Sequence, residues 1–314
     1  MRAVPGVVVV GLLALGAATA CSGGGSPAPG ESAPPAARDS GGAQTPASPA
    51  PAPTSAYPAP AQTPASPAPA RLPPTAGGLS YQLGGAYPPS SGVAIVIRDR
   101  KESPAPGLYS ICYVNAFQAQ PGETAWWSEN HPELLLRDPR GSLVIDPQWN
   151  EPLLNLDTDA ARRALAEMVG GWIDGCARDG FSAIEADNFD SFSRSRGLLS
   201  EADALAYGRM LAERAHRAGL VIAQKNASEL SSQARAVGFD FAVAEECGAL
   251  SECGAYVDVY GSQVLDIEYT DEPESAFIRA CHDFGTRIQI TRRDRNLVPV
   301  GQPGHHEQWC DARS

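Results

Sequence analysis

Basic residues are in short supply in this chain. Lys and Arg number 24 against 36 Asp and Glu, a net charge of -12, which argues against the basic footprint by which proteins hold nucleic acid. There is no C-x-x-C pair, and His305-His306 near the C-terminus does not replace one, so a zinc site has little support. No G-x-G-x-x-G or G-x-x-x-x-G-K-[ST] loop follows an apolar run, which removes the support for nucleotide binding. G-x-S-x-G and H-E-x-x-H are missing as well, so serine-nucleophile and zinc-hydrolase chemistries lose ground. What is abundant is Gly (31) and Pro (28), beside 43% apolar residues. That mixture requires one part of the chain without a core and another with one.

The N-terminus reads as an export signal. Arg2 is followed by an apolar run, Val7 to Ala18, too short to span a bilayer comfortably, and then by the small-residue cleavage pattern Ala18-Thr19-Ala20. Cys21, with Ser22-Gly23-Gly24-Gly25 after it, resembles a bacterial lipoprotein processing site, although Ala18 stands where such sites usually carry leucine. Residues 1–20 are therefore expected to be a lipoprotein signal peptide. Lipidated Cys21 would anchor the protein to the outer face of a bacterial membrane, and an unmodified Cys21 would leave it secreted. Residues 21–78 form a Pro/Ala/Ser-rich linker: 15 of the 57 residues from Ser22 to Gly78 are proline, and AQTPASPAPA occurs twice, at Ala43 to Ala52 and at Ala61 to Ala70. Such a tract cannot bury enough apolar surface to offset its ordering entropy and should stay unfolded and semi-extended. Its charges cancel, Glu31 and Asp39 against Arg38 and Arg71. With Arg2 removed, the net -12 becomes -13 on residues 79–314.

Six further cysteines, Cys112, Cys176, Cys247, Cys253, Cys281 and Cys310, suit an oxidising compartment and allow 15 pairings. Spacing suggests only Cys247 with Cys253, the other four remaining by elimination.

After residue 78, eight short apolar, β-branched or aromatic runs can be read: Leu79 to Leu83, Val93 to Ile97, Leu108 to Val114, Phe181 to Glu185, Leu220 to Ala223, Phe239 to Ala244, Gln263 to Tyr269 and Thr286 to Ile290. Amphipathic helices separate several of them. Thr158 to Ala177 places Leu165, Val169, Trp172 and Cys176 on one face, and a second helix is capped by Ser200 with Asp203 and ends at Gly219. Continuous apolar strands alternating with helices imply buried parallel strands. Eight of them in residues 79–314 predict an α/β fold, a single (β/α)8 TIM-type barrel. Phe117 to Asp157 reads as an irregular insertion with strand-like Leu143 to Ile145.

The active site of such a barrel lies at the C-terminal ends of its strands. Those ends are polar here: Arg98 and Asp99, Asn115, EADNFD, QKN, AEEC, IEY and TRR. Asp187, Asn188, Lys225, Asn226, Glu245, Glu268 and Arg292 would converge on one mouth. Paired carboxylates in an exported barrel suggest glycoside hydrolysis, one acid protonating the leaving oxygen and the other attacking the sugar or activating water. Two other readings use the same residues: a carbohydrate-binding protein on an inactive barrel, and a metal-dependent hydrolase with Asp187, Asp190 and Glu245 around Mg²⁺ or Ca²⁺.

GFSAIEADNFDSF, VIAQKNASEL, FDFAVAEECGALSEC and VLDIEY resemble, in order and spacing, the motifs of glycoside hydrolase family 114, the endo-α-1,4-polygalactosaminidase-like barrels. The resemblance covers about Leu79 to Ile290 and includes Tyr81 to Leu83 as the opening strand. It implies Asp187 and Glu245 as the catalytic pair and a cationic amino-sugar polymer as substrate, and the Cys247 to Cys253 spacing is similar too. IRDR replaces the family's acidic second-strand ending, so Asp99 matches only with a shift, and YVNAFQAQPGETAWW replaces its Gly-rich stretch after the third strand. Substrate contacts are expected from Tyr81, Asp99, Asn115, Asn188, Lys225, Asn226, Glu268 and Tyr269, with Trp126, Trp127 and Trp149 offering faces on which sugar rings can stack. Lys225 would hold Asp187 ionised as a nucleophile, while burial and neighbouring Glu246 would suit Glu245 to the general acid, a retaining arrangement. No cofactor, metal or nucleic-acid partner is expected, and the protein should be a monomer.

Overall fold

The computed structural model describes residues 70–310. The expected leader, Cys21 and most of the Pro-rich tract lie outside the described residues. Eight parallel strands follow one another, each overlapping one of the apolar runs: β1 (Gly78–Gln82), β2 (Val93–Asp99), β3 (Tyr109–Asn115), β4 (Ala183–Asp187), β5 (Val221–Lys225), β6 (Phe241–Glu245), β7 (Val264–Tyr269) and β8 (Gln289–Arg293). Each pairs with the next in sequence. Among the described residues β1 and β8 share no ladder. A short antiparallel strand, β9 (Glu307–Trp309), pairs with β8 and joins that seam through side chains. Its Trp309 indole donates to the Leu79 carbonyl at 2.7 Å, and Glu307 accepts from Ser80 at 2.6 Å. Fully buried Arg293 adds donors to the carbonyls of Tyr81, Val298 and His306. The result is a TIM-type barrel whose last gap is bridged by side chains.

The helices are α1 (Thr124–Asn130), α2 (Asp159–Asp179), α3 (Glu201–Arg217), α4 (Ser231–Val237), α5 (Cys247–Leu250), α6 (Cys253–Tyr260) and α7 (Glu274–Phe284). α2 starts where Thr158 Oγ1 accepts from Ala161 N, and it stops at Gly180, whose φ of 94° a side chain would resist. α3 opens with a reciprocal box between Ser200 and Asp203. The two-residue period of the strands then sorts the side chains. Ile95, Ile111, Val221, Phe241 and Leu265 fill the barrel interior, while Ile184, Ile222 and Ala186 point out against Leu165, Val169 and Leu211 of the helices.

Residues 117–157 are not a loose loop. They fold as α1, a two-residue ladder (Ile145–Asp146 with Glu151–Pro152) and isolated bridges, and they bury Trp127, Leu134, Leu153 and Leu154 in the same core as α2 and α3. Disulfides join Cys112 of β3 to Cys176 of α2, Cys247 to Cys253 across α5, and Cys281 of α7 to Cys310 beside β9. The entering segment passes over the barrel's N-terminal end. Tyr109, first in β3, donates to the Arg71 carbonyl at 2.6 Å, and Gln289, first in β8, donates to that of Pro74 at 2.6 Å. The mouth opens at the other end.

Candidate active site

Three consecutive strands end on an inward polar side chain: Asp187 on β4, Lys225 on β5 and Glu245 on β6. The backbone leaves each of them in left-handed conformation, with φ of 66° at Asn188, 54° and 57° at Asn226 and Ala227, and 62° at Glu246. Asparagine tolerates that region, whereas Ala and Glu cost about 1–2 kcal/mol each there. The surroundings hold the turns in place. Gln224, buried and outward-facing, donates its amide to the carbonyls of Asn226 (2.7 Å) and Ala227 (2.8 Å), and Tyr260 donates to its oxygen at 2.8 Å. Asn226 in turn clasps Glu245, accepting from its backbone N–H at 2.8 Å and donating to Oε2 at 3.3 Å.

Lys225 is one of only two lysines in the chain and is almost wholly buried. Its ammonium meets three carboxylates, Glu185 at 2.8 Å, Asp187 Oδ1 at 3.0 Å and Glu245 Oε2 at 3.4 Å. Burial alone would lower the pKa of the ammonium, but these acids outweigh it and keep the group firmly charged. Burial likewise works to raise Asp187, yet Lys225 and the Tyr113 hydroxyl, which donates to Oδ2 at 2.6 Å, hold its carboxyl below the usual range. Glu185 lies one layer deeper with no exposure, and burial pushes it up to about 7 against the pull of Lys225. Tyr81 donates to the same Glu185 oxygen at 2.9 Å.

On the β6 and β7 side, Tyr269 donates to Glu245 Oε1, and the guanidinium of Arg295 lies 4.0 Å from the Tyr269 ring centre. Arg295 also pairs with Glu246 and with Asp271. The like-charged neighbour expected beside Glu245 is thus matched by its own cation. Burial, the largest influence, leaves Glu246 raised above its ordinary value.

A cleft of about 670 Å³ opens over these groups, lined by Tyr81, Tyr113, Asp187, Lys225, Glu245 and Tyr269 at its base. One wall carries Glu246, Leu250 and Tyr256. The other comes from the insertion and the turn after β4, with Asp146, Trp149, Glu151, Asp190 and Arg194.

Of the residues expected to meet substrate, Tyr81, Asn188, Lys225, Asn226 and Tyr269 reach this cleft, as do Asp187 and Glu245. Five others do not. Asp99 closes its own turn, accepting from Lys101 N at 2.9 Å and from Gln120 Nε2 at 3.1 Å. Asn115 is buried behind the wall, donating to Glu151 at 2.9 Å. Glu268 faces outward because Tyr269 faces inward, and it accepts from Gly248 N at 2.8 Å. A Cβ on Gly248 would stand 2.5 Å from that of Ala280 and 3.0 Å from Glu268, so only glycine fits. Trp127 is a core residue stacked edge-on against Trp172, and Trp126 is exposed away from the cleft. Arg292 also points out, toward Glu274 at 3.5 Å. The expected ligand set Asp187, Asp190 and Glu245 does not form, because Asp190 is taken by Arg194 at 2.8 Å and Lys225 stands between the other two. Cys247, Cys253 and Asp266 lie together, but the two sulfurs are bonded to each other. Sequence reasoning missed Glu185, Tyr113 and Glu151. The strand period, followed back from Asp187 and along YVN, points to the first two.

The chain matches the model of glycoside-hydrolase family GH114 over residues 59–314. It belongs to that family. Among solved structures, Ega3 of Aspergillus fumigatus in complex with galactosamine superposes with a TM-score of 0.62 at 20% identity, covering 77% of this chain and 98% of that one. The E218A variant of the PelA glycoside hydrolase domain from Pseudomonas aeruginosa gives 0.50 at 16% identity, covering 72% and 97%. At these identities the likeness concerns the fold. No curated protein matches the chain in sequence. As a GH114 member the protein is a glycoside hydrolase, and the cleft at the barrel mouth is where its chemistry has to be sought.

Proposed function

We propose that this GH114 hydrolase cleaves an amino-sugar polysaccharide with retention, Asp187 acting as nucleophile and Glu245 as general acid and then base. The observation that carries the reading is the single ammonium shared by both carboxylates. Their facing oxygens lie 3.0 and 3.4 Å from Lys225 Nζ. They cannot be further apart than the sum of those distances, a bound on the two nearest oxygens that accommodates the close spacing of retaining pairs, about 5–5.5 Å. Asp187, held ionised, attacks the anomeric carbon as the bond to the leaving oxygen breaks and Glu245 delivers its proton to that oxygen. The negative charge thereby moves from Asp187, now an ester, to Glu245. Lys225 touches both and follows it without rearrangement. Water then gives a proton to Glu245 and attacks the ester, restoring the starting state.

The substrate class draws on the acidity of the domain and on the galactosamine held by Ega3. Reducing ends should appear from de-N-acetylated amino-sugar polymers, unchanged by EDTA, and more slowly as salt screens the cleft. Glycan retention without product would favour a binding protein instead, and loss of activity with EDTA a metal-dependent one. We place the protein outside the membrane, anchored through Cys21. Cys21→Ala should release the protein into the medium, and a native protein lacking acyl mass on Cys21 would refute the anchor.

A further inference from the structure

Glu151, supplied by the insertion, is an acid of the cleft that the two-carboxylate chemistry leaves unused. The residue is only 8% exposed, and it lines the cleft. Oε2 accepts from Asn115 at 2.9 Å and Asn188 at 3.4 Å, while no donor among the described residues reaches Oε1. No Lys, Arg or His among them lies within ion-pair distance of it. The nearby guanidinium of Arg194 is turned to other partners, ion-paired with Asp146 at 2.7 Å and donating to both oxygens of Asp190 and to Asn188 Oδ1. The other titratable groups facing Glu151 are Asp146 across its ladder, Asp187 at the end of β4 and Tyr113 on β3. A nearly buried carboxylate without a cation in contact, open on one oxygen to a cleft, is costly unless the ligand brings the positive charge.

Its position says which ligand atom that is. Asn188 Nδ2 lies 3.3 Å from Asp187 Oδ2 and 3.4 Å from Glu151 Oε2, so a single amide separates the two acids. That is the scale of one sugar ring. We propose that Glu151 selects the amine, accepting the ammonium on the ring whose anomeric carbon faces Asp187; this rests on the amino-sugar reading above. A charge-assisted bond from an ammonium is roughly twice as strong as one from a neutral hydroxyl or acetamide N–H. The group is also tuned for it. Burial first, then Asp187 and Asp146, push Glu151 up to about 7, with Asn115 and Arg194 opposing, so the free site changes charge near neutrality. Selection should accordingly fade as pH falls through that value.

Binding separates this from the reaction. Galactosamine, galactose and N-acetylgalactosamine would be titrated calorimetrically into the wild type and Glu151→Gln at pH 7.5 and 5.5. The wild type should prefer galactosamine over both others by about tenfold at pH 7.5 and by much less at pH 5.5, and the near-isosteric variant should bind all three alike at both. A variant that keeps the preference overturns the proposal, and so does one that weakens galactose equally. A wild-type preference that does not change with pH overturns it without any variant. The amino-sugar reading fails separately, if the wild type releases no reducing ends from any amino-sugar polymer while these monosaccharide affinities are still measured.

Discussion

The two walls of the cleft obey different rules. The first is the row of ends of β4 to β7, where a two-residue period and one-to-one register bring Asp187, Lys225, Glu245 and Tyr269 to the mouth side by side. The second is the insertion, where Asp146, Trp149 and Glu151 arrive through a two-residue ladder and a turn at Asn150. The regular wall places groups within 3.4 Å of one ammonium, and the irregular wall places single side chains around the ring they would recognise. On the proposed reading chemistry belongs to the first and selection to the second, so changes in the first should reach kcat and changes in the second mainly KM.

The sharpest division comes from the regular wall. Asp187→Asn and Glu245→Gln should each lower kcat by roughly 10²–10⁴-fold or more while melting within a few degrees of the wild type. If either variant turned over at near wild-type rate, the wall of strand ends would lose its claim to the chemistry.

Lys225→Met should come next. It strips the cation from three acids at once, so kcat should fall by about 10²-fold and stability by roughly 3–5 kcal/mol, the effect expected when one partner of a buried ion pair is removed. Glu185 and Asp187, whose carboxyls Lys225 holds down, should then titrate above their wild-type values, so the variant should recover stability as pH is lowered. A chemical denaturation series from pH 8 to pH 5 reads this directly. A uniform loss across the series would mean that Lys225 contributes packing alone.

Much of this wall can be read from sequence, because strand period and motif order both bear on it: EADNFD, QKN and AEEC name the right strand ends, and VLDIEY names Tyr269. The misses have physical causes. Glu268 and Arg292 are polar and stand one residue short of their strand ends, and that one-residue step reverses the face. Asp99 ends a strand, yet it is consumed by its own turn. Trp127 and Trp149 are alike in composition, and only tertiary packing decides that one is core and the other rim. Glu151 carries no periodic signal, since its position depends on how the insertion packs on α2 and β3.

A smaller effect probes the depth of the regular wall. Glu185 has its pKa raised to about 7, so its contribution to stability is fully present below the unfolded value and is lost as pH rises through about 7. Glu185→Gln removes that dependence. The variant should therefore gain on the wild type between pH 5 and pH 8 by on the order of 1–3 kcal/mol, measured as the difference in unfolding free energy. A constant difference across that range would mean that Glu185 stays ionised throughout under the hold of Lys225.

The smallest effect belongs to the rim of the irregular wall. Trp149 lines the cleft with 49% of its surface exposed, and Trp126, on the same insertion, is 45% exposed but lies outside the cleft. The two are matched in residue type and solvent contact and differ in location alone. An indole face packs against the apolar face of a sugar ring, a contact made equally in ground and transition states, so losing it raises KM with little change in kcat. Trp149→Ala should raise KM for a polymeric substrate about threefold to tenfold, and Trp126→Ala should leave both constants unchanged. Equal effects from the two substitutions would show that the insertion acts through its fold as a whole, and a fall in kcat with Trp149→Ala would move the irregular wall into the chemistry.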